Sequence, residues 1–230
     1  MLNLFVTGTD TDVGKTVVSA ALLQAYAKLG RCVVGYKPIS AGCEQGLAGL
    51  ENADAKQLLA ASNLPVTLAQ VNPIAFAPPI APHIAAEQVG TMINPQDIVN
   101  GWHALAALQP DVILTEGAGG WSLPLSLTLT LPEVLSELKP KVVLVVGMRL
   151  GCLNHALLTA AAIRQGGFEL VGWVANHVTA EMPFRAENIA TLLKMLNAPL
   201  LGEVPFLPRL TEGESCVAEV ADLFIPENLP

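Results

Sequence analysis

Residues 8–16 read Gly8-Thr9-Asp10-Thr11-Asp12-Val13-Gly14-Lys15-Thr16 and follow directly on the apolar run from Leu2 to Val6. An apolar strand, a turn ending Gly-Lys-Thr and a helix-forming stretch together make a cradle for nucleotide phosphates. Successive backbone N–H groups point at phosphate oxygens, and the next helix adds the positive end of its dipole. A lysine then meets the β- and γ-phosphates, and a hydroxyl meets Mg2+. The spacing is unusual. Five residues separate Gly8 from Gly14, so Thr9 stands where the first glycine of such a loop is expected.

Beyond the loop, short apolar runs alternate with helical stretches. Strands are expected at 2–7, 32–36, 111–115, 141–146, 169–175 and 199–204. Helices are expected at 15–29, 53–61, 95–108, 131–138, 151–165 and 183–196. Asn94-Pro95 supplies an N-cap and a proline at the first helical position, and Gly30 and Gly166-Gly167 supply C-terminal stops. The run Val142-Val143-Leu144-Val145-Val146 is apolar without alternation, the mark of a strand covered on both faces. The pattern predicts an α/β fold: a single doubly wound parallel sheet flanked by helices, of the P-loop type, as one domain over 1–230. Residues 62–82 are proline-rich and expected to be an irregular covering or functional segment, and the tail from Pro208 is weakly patterned.

Composition narrows the class. A chain of 230 residues can bury a full core, and 52% hydrophobic with 14% charged residues suits a doubly covered sheet. A net charge of −8 argues against extended contact with nucleic acid or an anionic membrane. Cys32, Cys43, Cys152 and Cys216 form no CxxC pair and no metal-ligand spacing, as expected of reduced thiols in a cytoplasmic protein. The start, Met1-Leu2-Asn3, has no basic segment and no long apolar one, so neither a signal peptide nor a membrane span is expected.

Ligands of an open parallel sheet bind beyond the carboxyl ends of its strands. The phosphate loop follows the first strand and Lys37 the second. Glu116-Gly117-Ala118-Gly119-Gly120 follows the third, Gly151-Cys152-Leu153-Asn154 opens a helix after the fourth, and Asn176 follows the fifth. Lys15 and Thr16 are assigned to phosphate and Mg2+. Lys37 is either a solvated strand end or a second ammonium beside a transferring phosphoryl group. Glu116 is either a carboxylate supporting Mg2+ or a cap for the glycine turn. Asp54, by composition, is a helix-start acid favoured by the dipole. Asn176 reads equally as a turn residue or as an amide facing a base edge. His83, His103, His155 and His177 lack metal-like partners at i+3 or i+4, and there is no G-x-S-x-G elbow and no carboxylate pair for sugar hydrolysis. Trp102, Trp121 and Trp173 are expected in the core or at a dimer contact.

Taken together, eight ordered blocks resemble the dethiobiotin synthetase family. They are residues 8–16; Gly35-Tyr36-Lys37-Pro38; Asn52 with Asp54; Asn72-Pro73 with Pro82-His83; residues 116–120; Gly151 to His155; Gly172 to Asn176; and Gly202-Glu203-Val204-Pro205. The resemblance implies an ATP- and Mg2+-dependent ligase that converts 7,8-diaminopelargonate and CO2 to dethiobiotin, ADP and phosphate. It implies that Lys15, Lys37 and Thr11 serve the carbamate and the transferring phosphoryl group. Thr16, Asp54 and Glu116 would hold Mg2+. Asp12, Val13, Gly14, Lys15, Thr16 and Val17 would cradle the phosphates, with Gly117, Ala118 and Gly119 close by. Asn176, His177 and Pro205-Phe206-Leu207 would frame the adenine, and Glu212 would lie near the ribose. Ser40 and Ala41 would line the substrate. Gly151, Cys152, Leu153 and Asn154 would bind its carboxylate from the other subunit of a homodimer.

Three positions depart from the family pattern. Ala41 stands where serine is usual, with Ser40 one residue earlier; Asp12 replaces glutamate; His177 replaces aspartate. These bear on substrate, rate and nucleotide preference rather than on fold. A second reading is a paralogue acting on another diamine or with weak activity. A third is an ATP-driven partner switch of the partitioning type. Thr9 to Val13 contains no lysine and no basic amphipathic tail follows, so the sequence disfavours that switch.

Overall fold

The computed structural model describes residues 1–47, 49–208, 216–224 and 229–230. β1 (Leu2–Gly8) runs through the phosphate loop into α1 (Lys15–Lys28). β2 (Val33–Tyr36), the short β3 (Ile39–Ser40) and a hairpin of β4 (Glu44–Gln45) and β5 (Leu50–Glu51) follow. Next come α2 (Ala53–Ala61), α3 (Leu68–Val71), β6 (Ile74–Ala75), α4 (Pro82–Gln88) and α5 (Pro95–Ala106). β7 (Val112–Gly120), α6 (Leu131–Leu135), β8 (Lys141–Met148) and α7 (Cys152–Gln165) precede β9 (Leu170–His177), α8 (Arg185–Met195), β10 (Leu200–Val204) and α9 (Val217–Ala221).

Six strands form one parallel sheet in the order β10-β9-β8-β1-β7-β2. The chain builds first to one side of β1 and then to the other, so the crevice opens at the carboxyl end of β1. Side chains of β1 alternate between the two layers. Leu4 and Val6 pack with Val18, Leu22 and Leu23 of α1, while Phe5 packs on the opposite face with Trp121. Truncating one such fully buried side chain costs about 2–5 kcal/mol. Trp102, Trp121 and Trp173 are all buried, in agreement with a core role. No helix among the described residues is long and apolar enough to cross a membrane.

Two expectations need correction. The third sheet strand does not end at 115: β7 continues through Glu116 to Gly120, and Gly120 still pairs with Gly8 across a bulge in β7. A Cβ at Gly117 would lie 2.9 Å from the Phe5 ring, so glycine lets β7 stay beside β1 where a turn was expected. Nor is 62–82 wholly irregular. Thr67 and Gln70 close a capping box that starts α3, and β6 pairs in parallel with β3. The tail beyond Pro208 contributes α9, which packs Val217, Val220 and Ala221 into the cluster around α1.

Candidate active site

The phosphate loop is shaped by its neighbours in space. Gly14 holds φ +84°, and a Cβ there would lie 2.1 Å from Asn176 Nδ2, so the position needs glycine on two counts. No side chain caps the start of α1. The extra loop residue has a clear role. The Thr9 N–H donates to Val145 O (3.0 Å), and Thr9 Oγ1 accepts from Gly147 N–H (3.3 Å), pinning the loop to the end of β8. Asp10 Oδ1 accepts from Thr11 N–H (2.8 Å), and its Oδ2 pairs with Arg149. Asp12 sits at φ +55°, a region that Asp enters more readily than most residues. Lys15 Nζ donates to the backbone oxygen of Asp10 at 3.0 Å. Burial holds the Lys15 ammonium below its usual pKa, and Lys37 adds to the lowering while Glu116 and Asp54 oppose it.

Beside the loop lies a buried charge cluster. Lys37 is 3% exposed, and its Nζ donates to Asp54 Oδ2 (2.7 Å) and Glu116 Oε1 (2.6 Å). Thr16 Oγ1 donates to the same Glu116 oxygen at 2.9 Å. Burial by itself would lower the Lys37 pKa, but Glu116 and Asp54 outweigh it and hold the ammonium above its ordinary value. Asp54 is likewise pushed up by burial and pulled further down by Lys37, so its carboxyl lies below the usual range. The Lys37 backbone is fixed by the 62–82 segment: its N–H donates to Val71 O (2.8 Å) and its carbonyl accepts from Asn72 Nδ2 (2.7 Å).

Glu116 Oε2 is buried and lacks a partner among the described residues. An orphaned carboxylate oxygen beside the Thr16 hydroxyl and the Asp54 carboxylate is a hard-oxygen donor set. It suits Mg2+, which binds through one or two carboxylates and completes its shell with water and phosphate. No group of three His, Cys, Asp or Glu side chains gathers as a metal cage among the described residues.

These residues open into a cleft of about 1150 Å³. Thr11, Asp12, Gly14, Lys15, Thr16, Val17, Lys37 and Asp54 line its middle. One end is bounded by Ser40, Ala41, the Pro79–Pro82 segment, Ala118, Gly119 and Leu123. Ser40 is turned inward: its Oγ donates to Asn72 Oδ1 (2.8 Å) and lies 3.2 Å from Cys43 Sγ. The exchanged pair therefore leaves Ala41, without a hydroxyl, at the partly exposed position. The other end is bounded by Asn176, His177, Phe206 and Leu207, joined by Val178, Cys216 and Val217, which the sequence did not single out. Gln57 also reaches the cleft unannounced, as does Asn52, which the family resemblance names without a role and which caps α2.

Some expected residues have partners of their own or lie outside the lining. Asn176 Nδ2 donates to Val13 O (2.8 Å), so part of its amide serves the phosphate loop rather than facing the cleft. His177 Nε2 is 2.7 Å from Glu203 Oε1. Val13, Glu116, Gly117 and Pro205 lie outside the lining, with Val13 and Glu116 buried at 1% exposure each. Gly151, Cys152, Leu153 and Asn154 start α7 away from this cleft. Glu212 lies outside the described residues.

Comparison with known proteins places this geometry. A family model described as an AAA domain matches residues 2–214. ATP-dependent dethiobiotin synthetase BioD of Alteromonas mediterranea is 48% identical over 225 residues, covering 93% of this chain and 96% of that protein. ATP-dependent dethiobiotin synthetase BioD 1 of Salmonella typhi is 50% identical over 219 residues, covering 95% of each. Among solved structures, the MinD cell division protein of Aquifex aeolicus superposes with a TM-score of 0.58 at 17% identity, covering 96% of this chain and 95% of that one. A ParA family ATPase from Chlorobium tepidum gives 0.58 at 14% identity, covering 96% and 94%. These two share the fold alone. The sequence relatives carry the assignment: the chain belongs to the ATP-dependent dethiobiotin synthetase family.

Proposed function

We propose that this protein makes dethiobiotin from 7,8-diaminopelargonate, CO2 and ATP, with Mg2+, releasing ADP and phosphate. One amine captures CO2 as a carbamate. A carbamate oxygen attacks the γ-phosphoryl group of ATP, forming a carbamic–phosphoric anhydride and expelling ADP. The second amine attacks the carbonyl carbon, the C–O bond to phosphate breaks, and the ureido ring closes. Such chemistry asks for positioning and charge neutralisation rather than a protein nucleophile.

The observation that carries the reading is the Lys37–Asp54–Glu116 cluster set beside Lys15 at the mouth of the phosphate loop. Lys15 exchanges its Asp10 carbonyl for phosphate oxygens, and Lys37, held protonated by its carboxylates, offers positive charge to the carbamate and the moving phosphoryl group. Thr11 hydrogen-bonds near the carbamate. Thr16, Asp54 and Glu116 hold Mg2+, which neutralises phosphate charge when bound. The loop backbone from Asp12 to Val17 cradles the phosphates. Ser40, Ala41 and the Pro79–Pro82 segment bound the diamine, while Asn176, His177 and 205–207 border the base.

Residues 1–230 act as one domain, in the cytoplasm, as a homodimer whose α7 start from one subunit takes the substrate carboxylate of the other. The uncapped α7 N-terminus, which lies outside its own cleft, supports that arrangement. The test supplies purified protein with diaminopelargonate, bicarbonate and MgATP and follows dethiobiotin by mass spectrometry. ATP turnover that ignores the diamine, with no cyclic urea formed, would overturn the proposal.

A further inference from the structure

The phosphate loop carries two acidic residues, Asp10 and Asp12, where a polyphosphate must sit, in a chain of net charge −8. We infer that Arg149 is the counter-charge of this loop: it neutralises Asp10, the residue whose turn presents Lys15 to the nucleotide. Asp10 is the node. Its Oδ1 accepts from Thr11 N–H at 2.8 Å, its Oδ2 pairs with the Arg149 guanidinium, and its carbonyl accepts from Lys15 Nζ at 3.0 Å. The node has little slack, because a Cβ added at Gly8 would lie 3.0 Å from the Asp10 oxygen and 3.2 Å from Lys15 Cδ. Arg149 follows β8 directly, and Gly147 in that strand donates to Thr9 Oγ1 at 3.3 Å. The end of β8 and the turn after it thus hold consecutive loop residues, Thr9 and Asp10.

The inference rests on the reading of the cleft as an ATP site. Both partners are about half exposed, at 43% and 46%, so the pair itself adds little to folding stability. Its effect falls on the ligand. Without Arg149, the Asp10 carboxylate stands uncompensated in the phosphate loop, just outside the cleft lining, and like-charge repulsion across a partly screened site weakens binding by about tenfold, or about 1.4 kcal/mol. A purely structural ion pair makes a different prediction, since losing either partner would then do equal harm. Asp10→Asn keeps an Oδ1 to accept from Thr11 N–H and drops only the charge.

The experiment measures ATP binding by calorimetry, with thermal melts, for the natural protein, R149M, R149K, D10N and R149M/D10N. R149M should bind ATP about tenfold more weakly and R149K within about twofold of the natural protein. The double variant should recover to within about twofold, with melting temperatures unmoved. The R149M deficit should grow at low salt. R149M binding ATP normally, or a double variant as weak as R149M, overturns the inference while leaving the ATP reading intact. A natural protein that fails to bind ATP overturns both.

Discussion

α1 and α7 are built alike and face different ways. Each runs for 14 residues, each begins at a glycine in the left-handed region, and neither start is capped by a side chain among the described residues. At α1, Gly14 is pressed against Asn176, and the helix start joins Lys15 and Thr16 in the chain's own cleft. At α7, no atom of the described residues lies within 4 Å of a Cβ placed on Gly151, and Leu150 beside it is 99% exposed. One glycine answers a steric demand within the chain. The other answers only a backbone conformation and leaves an open helix end. The first helix start belongs to this chain's own cleft; the second lies outside it, where the proposed homodimer would set it against the partner's site.

The sharpest way to break this contrast is to put the same methyl group at both starts. Gly14→Ala must displace Asn176 and strain the turn, so ATP affinity should fall by about 100-fold or more in a binding titration. Normal affinity would show that the packing against Asn176 is not what shapes the loop. Lys37→Gln should lower kcat by about 10²–10³-fold with little change in ATP affinity, because it removes charge offered to the reacting group and leaves the phosphate loop in place. Unaltered turnover would remove Lys37 from the chemistry. Leu150→Glu tests the open end: sedimentation should shift toward monomer and diamine turnover should fall by about tenfold, while ATP still binds. Gly151→Ala should have the smallest effect, about 1–2 kcal/mol of stability in a melt, with ATP affinity unchanged.

The pH dependence of the Lys37 cluster has a definite sign. Asp54 is held below its ordinary 3.8, so its contribution is complete above that pH and is lost as pH falls through the lowered value. Lys37 is held above 10.5, so its contribution is complete below that pH and is lost as pH rises through the raised value. With Lys37 gone, burial is left to raise the Asp54 carboxyl, so the stability gap between the natural protein and Lys37→Gln should be widest around neutral pH, narrow as pH falls through the acid range, and narrow again above about pH 10. A gap that varied across neutral pH would mean that another group controls the pair.

Much of this architecture was legible because buried parallel strands are written as unbroken apolar runs, as in Val142 to Val146. The strand-end rule then brought Lys15 and Lys37 to one cleft, with Glu116 directly beneath it, whereas Asp54, a helix-start acid by composition, entered only through the family resemblance. What escaped were features set by contacts distant in sequence. Glu116-Gly117-Ala118-Gly119-Gly120 has the composition of a turn, yet Phe5 on the neighbouring strand makes Gly117 a requirement of β7. Thr67 and Gln70 did carry a capping signal, hidden by the surrounding prolines. Ser40 lines the cleft, but the inward turn of its hydroxyl depends on Asn72, 32 residues away. Arg149 offered no local signal at all, since its partner lies 139 residues earlier.

The central position of β1 has a consequence for how the molecule comes into being. It precedes every other strand of its sheet in chain order, yet its sheet neighbours are β7 and β8, more than a hundred residues later. Pairings so distant in sequence form slowly, and an apolar strand that waits for them is exposed to misassociation during synthesis. The phosphate loop waits as well, because Val145, Gly147 and Arg149 supply the contacts that shape Thr9 and Asp10. Nucleotide capture is therefore a late event in the life of a nascent chain, and the appearance of ATP binding is a clock for the arrival of β8.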